Sequence, residues 1–286
     1  MSEHWWPAPA KLNLFLHVTA RRADGFHDLQ TIFQLLDWGD EIKVTPTRDS
    51  TIERVSGPAS IEPDQDLCVR AARLLQRATD SRLGARIELR KRIPLGGGLG
   101  GGSSDAATVL KVLDRLWATN LGIERLCALA LELGSDVPVF VRGTSAAAEG
   151  RGEILTPLEL PERWYLIIHP GVAVATAAIF QAPELTRNSP VITIRAVSPT
   201  PIRLDEMRND CEPLVRARFP AVAAALQWLE SRAAARLSGT GSCIFASFAR
   251  AADAERIAAQ VPDEWTSFVA RGVNRSPLEG ALTAWC

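Results

Sequence analysis

Between Pro94 and Asp105 the chain reads PLGGGLGGGSSD, with six glycines and two serines. Side-chain packing cannot hold such a loop, so its use lies in what a bare backbone can approach. Glycine reaches positive φ at little steric cost, and successive amide N–H groups in such a turn form an anion-binding concavity. The helical pattern that follows begins near Ser103 or Ser104, both good N-cap types, and would add its unpaired N–H groups and dipole to the same place. Phosphate is the ligand this chemistry fits. Gly96, Gly98 and Gly101 also satisfy G-x-G-x-x-G between a strand and a helix, a dinucleotide-binding pattern. A Walker loop is excluded, because no Gly-Lys pair occurs anywhere in the chain.

Three further places carry residues of the right chemistry, each with a plain structural alternative that local sequence leaves open. Lys11 stands at the head of an apolar strand, where it would project into a cleft or lie on the surface. Asp136, in Ser135-Asp136-Val137-Pro138, follows a helix that ends at Gly134. Beside a proline that stiffens its backbone it is placed for proton transfer, or else caps a turn. Phe26-His27 follows the Asp24-Gly25 turn and offers an aromatic face with an imidazole, or a hydrophobic plug with its polar neighbour.

The elements that must position these groups show in the apolar periodicity. Pro7 to Ala20 alternates Leu12, Leu14, Leu16 and Val18 with Asn13, Phe15 and His17, the period of a strand with one face in a core. TIFQLLDW and EIKVT read as two more strands. A helix is expected over Asp66–Thr79, and a strand over Arg86–Ile93 feeds the glycine loop. The helix after the loop buries Ala106, Ala107, Val109, Leu110, Leu113, Leu116 and Trp117, and another spans Ile123–Leu133. After Asp136 the run VFV reads as a strand. The texture changes near Glu149–Gly152. Beyond it come a strand at Trp164–His169, a short helix at Thr176–Phe180 and a polar stretch to Pro201. Helices over Met207–Arg218 and Ala221–Ala235, a second glycine turn in SGTGSCIFASF, a helix at Ala251–Val261 and a strand at Ser267–Gly272 complete the pattern. This alternation implies a layered α/β sandwich in the second half.

At 286 residues with 47% apolar content the chain suits one large or two modest domains. A formal charge of −1 gives no electrostatic reason to expect nucleic acid, and no apolar run approaches the roughly 20 residues that span a bilayer. The opening MSEHWWPAPAK has no basic segment followed by an apolar core, so a cytoplasmic protein is expected. Cys68, Cys127, Cys211, Cys243 and Cys286 show no CxxC spacing, which argues against disulfides or zinc and for reduced, mostly buried thiols.

Taken in order, PAPAKLNLFLHV, DGFHDLQT, PLGGGLGGGSSDAA, ELGSDVPVFV and LSGTGSCIFA resemble the GHMP small-molecule kinases from Pro7 to about Phe248. Within that superfamily they look like the members that phosphorylate the 2-hydroxyl of a cytidylylated methylerythritol in the non-mevalonate isoprenoid route. The resemblance implies an α+β, two-domain fold. An N-terminal mixed-sheet domain with helices, 1–153, would pack on a C-terminal ferredoxin-like α/β sandwich, 154–286, with the site between them. It implies ATP as co-substrate with Mg²⁺, a small-molecule acceptor, no nucleic acid or membrane partner, and a monomer or homodimer.

Residue by residue, the resemblance gives the ATP phosphates to Pro94, Leu95, Gly96, Gly97, Gly98, Leu99, Gly100, Gly101, Gly102, Ser103 and Ser104, with Ser103 or Ser104 near magnesium. It gives catalysis to Lys11 and Asp136. Asn13, Phe26, His27, Thr176, Phe180, Gly239 and Thr240 fall to the acceptor, with aromatic rings around the base and the histidine on its edge. Phe26 stands where the family has tyrosine, so the ring can still stack but brings no hydroxyl to the substrate. Asp66 stands where the family often has an adenine-contacting asparagine, and an ionised carboxylate can only accept. Other readings are a different GHMP alcohol kinase (mevalonate-, homoserine- or sugar-type), a nucleotide-binding module without catalysis, and an NAD(P)-binding oxidoreductase. The last expects a strand and an acid about 20 residues past the glycines, where Asn120, Gly122 and a second helix stand instead.

Overall fold

The computed structural model describes residues 4–193 and 207–285. Cys286 and the polar stretch from 194 to Pro201 lie outside them. The first half is built on a long hairpin, β1 (Trp6–Arg21) against β2 (His27–Thr47), antiparallel from Trp6↔Ile42 to Arg21↔His27. TIFQLLDW and EIKVT are thus one strand, because continuous pairing carries the chain through Gly39, whose missing side chain lets the Ala8 carbonyl pass. β3 (Ile52–Ser56) and β4 (Gly84–Arg90) extend one edge of the sheet. β5 (Ala146–Glu149) pairs with β2, and β6 (Ile154–Pro157) with β5. Four helices cover this sheet: α1 (Leu67–Thr79), α2 (Gly101–Leu116), α3 (Ile123–Leu133) and α4 (Val137–Arg142). In α1, Cys68, Val69, Ala71, Ala72, Leu74 and Leu75 fall on one buried face, as the helical period requires.

Two local expectations change. α2 begins at Gly101, with Gly100 as its N-cap at φ +72°, two to three residues before the serines. Ser103 and Ser104 therefore lie inside its first turn and do not cap it. The run after Asp136 is the helix α4. Pro138 supplies a helical φ in the first turn, and five consecutive buried residues pack among α2 and α3, which outweighs the strand preference of three valines.

The second half folds as β7 (Trp164–His169), α5 (Thr176–Gln181), α6 (Glu212–Arg218), α7 (Pro220–Glu230), β8 (Ala235–Leu237), β9 (Ile244–Phe248), α8 (Ala251–Ala258) and β10 (Thr266–Val273). The antiparallel order β10-β7-β9-β8 is that of a ferredoxin-like sandwich. α6 starts at Glu212 and not at Met207, and α7 stops at Glu230, since Ala235 already pairs with Ala246 in the sheet. α9 (Pro277–Ala284), capped by the Ser276 hydroxyl accepting from Leu278 N–H, had no counterpart among the expected elements.

The halves are joined in three ways. Gly272 and Val273 of β10 pair with Leu36 and Leu35 of β2. α9 packs on β1 and buries Leu278 and Leu282 in the first half's core, so β6 and α9, both beyond residue 153, pack with that half. Ala10, Leu12, Leu14, Phe15, Ile32 and Leu36 share one core with Tyr165, Ile167 and Phe245. Truncating Leu12 to alanine there would cost about 2–5 kcal/mol.

Candidate active site

The two glycine-rich turns meet back to back. Ser242 N–H donates to the Gly96 carbonyl at 3.1 Å, Cys243 N–H to that of Gly97 at 3.0 Å, and the Ser238 hydroxyl to that of Gly98 at 3.0 Å. A Cβ on Gly98 would lie 2.2 Å from the Ser238 carbonyl oxygen, and its φ is +74°, so only glycine fits. The first turn is held from its other end by a buried charge network. Lys91 Nζ reaches Asp40 and Asp105 at 2.6 Å each, and Asp40 accepts from the Arg92 and Ile93 amides at 2.5 and 2.8 Å. Burial pushes the Asp105 carboxyl well above its usual range against the opposing pull of Lys91. Burial also works against the charged Lys91, but Asp105 and Asp40 outweigh it and hold the ammonium above its ordinary value. The cradle is thus anchored at Lys91 before the glycines and at Asp105 after them.

Onto this cradle β1 delivers Lys11. The β1–β2 register shifts between Pro9 and Lys11, a bulge of the kind that re-aims a side chain. Ala10, Leu12 and Leu14 face the shared core, while Lys11 and Asn13, each 3% exposed, face the glycine turns. Lys11 Nζ lies 3.1 Å from the Gly98 carbonyl and 3.2 Å from Asp136 Oδ2, donates to Asn13 Oδ1, and sits 5.3 Å over the Phe33 ring. Asn13 is fixed by donating to Thr31 Oγ1 at 2.9 Å. Asp136 precedes α4 without capping it, so its carboxylate is left to Lys11 and to solvent.

These groups line one cleft of about 330 Å³ between the halves. It takes in the whole run 94–103 with Lys11, Asn13, Asp136, Thr176, Phe180, Gly239 and Thr240. The Thr176 and Thr240 hydroxyls are 3.0 Å apart, and the Gly239 carbonyl accepts from Asn209 Nδ2 at 2.7 Å. Among the described residues no side chain caps α2, which leaves its first N–H groups to a ligand. Ser103 lines the cleft; Ser104 does not, and its buried hydroxyl has no partner among the described residues. Asp66 is spent elsewhere. It caps α1 by accepting from Cys68 N–H at 2.8 Å and pairs with Arg54 at 2.6 Å, at the edge of a hollow of about 80 Å³ beside the glycine turn.

Past Thr176 the cleft reaches Phe180, while Phe26 and His27 lie beyond its lining residues. Phe180 stacks on His27, centroids 5.3 Å apart at 30°. Phe26 is 48% exposed, and the Arg151 guanidinium, itself lining the cleft, lies 3.9 Å over its ring. Burial lowers the His27 pKa, and the charges of Arg187 and Arg21 lower it further. Lys91, Arg151 and Arg187 carry no signal in the sequence. Lys91 is the middle of an Arg-Lys-Arg run and the other two are isolated basic residues in polar stretches, and only the fold shows what each touches. Among the described residues no cluster of three His, Cys, Asp or Glu side chains forms a metal cage, no helix is long and apolar enough to cross a membrane, and Cys68, Cys127, Cys211 and Cys243 are free.

Two family descriptions match the chain: GHMP kinases N terminal domain over residues 66–144 and GHMP kinases C terminal over 202–267. The chain belongs to the GHMP kinases, which move phosphate from ATP to an alcohol. Its relatives include the 4-diphosphocytidyl-2-C-methyl-D-erythritol kinases of Alkalilimnicola ehrlichii, 55% identical over 98% of this chain and 94% of that one, and of Halorhodospira halophila, 54% identical over 97% and 96%. A crystal structure of 4-(cytidine 5'-diphospho)-2C-methyl-D-erythritol kinase superposes with a TM-score of 0.81 at 32% identity, over 94% of this chain and all of that one. The mevalonate kinase of Methanococcus jannaschii, 14% identical with a TM-score of 0.68 over 96% of this chain and 99% of that one, shares the fold.

Proposed function

We propose that this chain transfers the γ-phosphoryl group of ATP to the 2-hydroxyl of 4-diphosphocytidyl-2-C-methyl-D-erythritol, a step of the non-mevalonate isoprenoid precursor route. The observation that carries the reading is the meeting of Lys11 and Asp136, 3.2 Å apart, at the lip of an uncapped, glycine-built helix N-terminus. The backbone N–H groups of the 96–103 turn would hold the triphosphate. Asp136 would accept the hydroxyl proton as the new O–P bond forms and the bond to ADP breaks. Lys11 would lower the pKa of that hydroxyl and steady the charge on the transferring group. Such chemistry needs positioning and electrostatic stabilisation with little covalent work. Mg²⁺, when bound, neutralises phosphate charge. The donor set fits an ion carried on phosphates, with the Ser103 hydroxyl as the protein oxygen at hand, since magnesium is commonly held that way. Asn13, Thr176, Gly239 and Thr240 would line the path of the acceptor, with Phe26, His27 and Phe180 around its cytosine. The apolar hollow beside Leu67 and Leu95 suits an adenine; the paired Asp66 would shape its wall and offer it no donor.

The test is ADP release from the purified chain with ATP and Mg²⁺, comparing the cytidylylated substrate with mevalonate, homoserine and galactose. Turnover confined to the first is expected. Faster turnover of any of the others would replace this reading with another GHMP alcohol kinase.

A further inference from the structure

Arg187 follows α5 and is fully engaged. Its Nε donates to His27 Nε2 at 3.0 Å. Its two Nη atoms donate to backbone carbonyls, those of Phe180 at 2.9 Å, Ala182 at 2.6 Å, Leu185 at 3.0 Å and Pro183 at 3.4 Å. A guanidinium has no acceptor and keeps its protons throughout the ordinary pH range. The nitrogen facing it must therefore present a lone pair, and the single proton of the neutral imidazole has to sit on the other one, Nδ1. Among the described residues no acceptor takes that N–H. The same contact discourages a second proton, which would set two cations face to face, in accord with the lowered His27 pKa.

We infer that Arg187 is a positioning residue that fixes His27 as the neutral Nδ1–H tautomer, so that the ring offers a base edge one donor and no acceptor. This rests on the cytidylyl reading given above. Cytosine N3 is an acceptor whereas uracil N3 carries a proton, and O2 accepts in both, so a donor-only histidine facing N3 favours cytosine. A protonated ring would offer a donor from either nitrogen, and the opposite tautomer would place its acceptor where the donor is needed. The fork grips the carbonyls of the segment carrying Phe180, the ring that stacks on His27. Base stacking and base-edge reading are therefore set by one side chain.

The experiment takes the full chain with ¹⁵N-labelled histidine. Long-range ¹H–¹⁵N correlation spectra at neutral pH, with His27 assigned by the signal that disappears in His27→Asn, show which nitrogen holds the proton. Nδ1 protonated and Nε2 bare is expected. Nε2–H or an imidazolium in the unmodified protein overturns the inference whatever the variants do. Arg187→Met should shift His27 toward Nε2–H and lower the preference for the cytidylylated over the uridylylated substrate, in kcat/KM, by about 10-fold or more, since a mispaired buried polar group is what enforces such selectivity. KM for ATP should stay within about twofold of its starting value, because no contact of Arg187 reaches the phosphate end. A carbonyl clasp with no influence on His27 would leave tautomer and preference unchanged and would also overturn the inference. If the spectrum shows Nδ1–H but no cytidylylated alcohol is phosphorylated, the tautomer stands and the proposed substrate falls.

Discussion

The two ends of the cleft are built on opposite principles. At the end built of the glycine turns, proposed for the phosphates, these charged groups are already paired: Lys11 with the half-exposed Asp136, and Lys91 with the buried Asp40 and Asp105. The 96–98 backbone there is clasped by a second glycine turn. At the end proposed for the base Phe26 is half exposed, and Arg151 covers its face without an ion pair of its own among the described residues. His27 is oriented by a single arginine 160 positions away. The first end resembles a casting made before the ligand arrives, which suits a reaction whose catalysis is positioning. The second keeps a ring and a cation at the surface, where a substrate can exchange one contact for another.

Substitutions should separate the ends. The largest effect is expected from Asp136→Asn, which removes the proposed proton acceptor while keeping shape. Turnover should fall by about 10²–10⁴-fold with little change in KM for ATP, and steady-state kinetics at saturating substrates checks it. Unchanged turnover would leave the phosphate end with no base. Next comes Gly98→Ala, which forces a Cβ into the Ser238 carbonyl at positive φ. A loss of about 3 kcal/mol in chemical denaturation together with weaker ATP binding is expected. Stability unchanged alongside weaker ATP binding would mean the two turns are less tightly joined than their hydrogen bonds indicate.

His27→Ala should act only at the other end, raising KM for the cytidylylated substrate by about 10- to 100-fold, the weight of one buried hydrogen bond and its stacking, with KM for ATP nearly untouched. Equal losses for both substrates would merge the two ends into one unit. The smallest effect is expected from acid. His17, His27 and His169 all have pKa values lowered from the ordinary 6.5, burial being the largest cause in each. Their folded forms are neutral, so the unfolded chain binds more protons below 6.5. The stability they contribute is present above that value and is lost as pH falls through the lower folded values. Melting temperature should therefore decline from pH 7 toward 5, and by less in His27→Gln, with KM for the cytidylylated substrate rising over the same range.

How much of this was legible in the sequence follows the same division. Lys11, Asp136 and the glycine run each carry a local mark, an apolar strand pattern, a proline, or six glycines flanked by apolar periodicity, although Lys11 lies inside β1 and not at its start. The layered α/β sandwich of the second half was legible from alternating strands and helices, and its ferredoxin-like form from the family resemblance. What escaped depends on distant partners. α4 reads as a strand until Pro138 and the neighbouring helices are counted. Glycines 101 and 102 read as loop because their helical role appears only with the charge clamp around them. Arg187 carries no mark at all, since its meaning lies in four carbonyls and a histidine that a linear reading cannot bring together.

β10 and α9 carry a consequence for how the chain comes to be folded. The sheet of the first half and part of its helical cover are completed by residues near 272–282, far from the hairpin they touch. During synthesis, which proceeds from the amino end, the early strands would wait with an unsealed apolar flank until those last elements emerge. Such a molecule is expected to gain its structure late and to lose it in one step, with the closing seam acting as a keystone whose removal unlocks both arches.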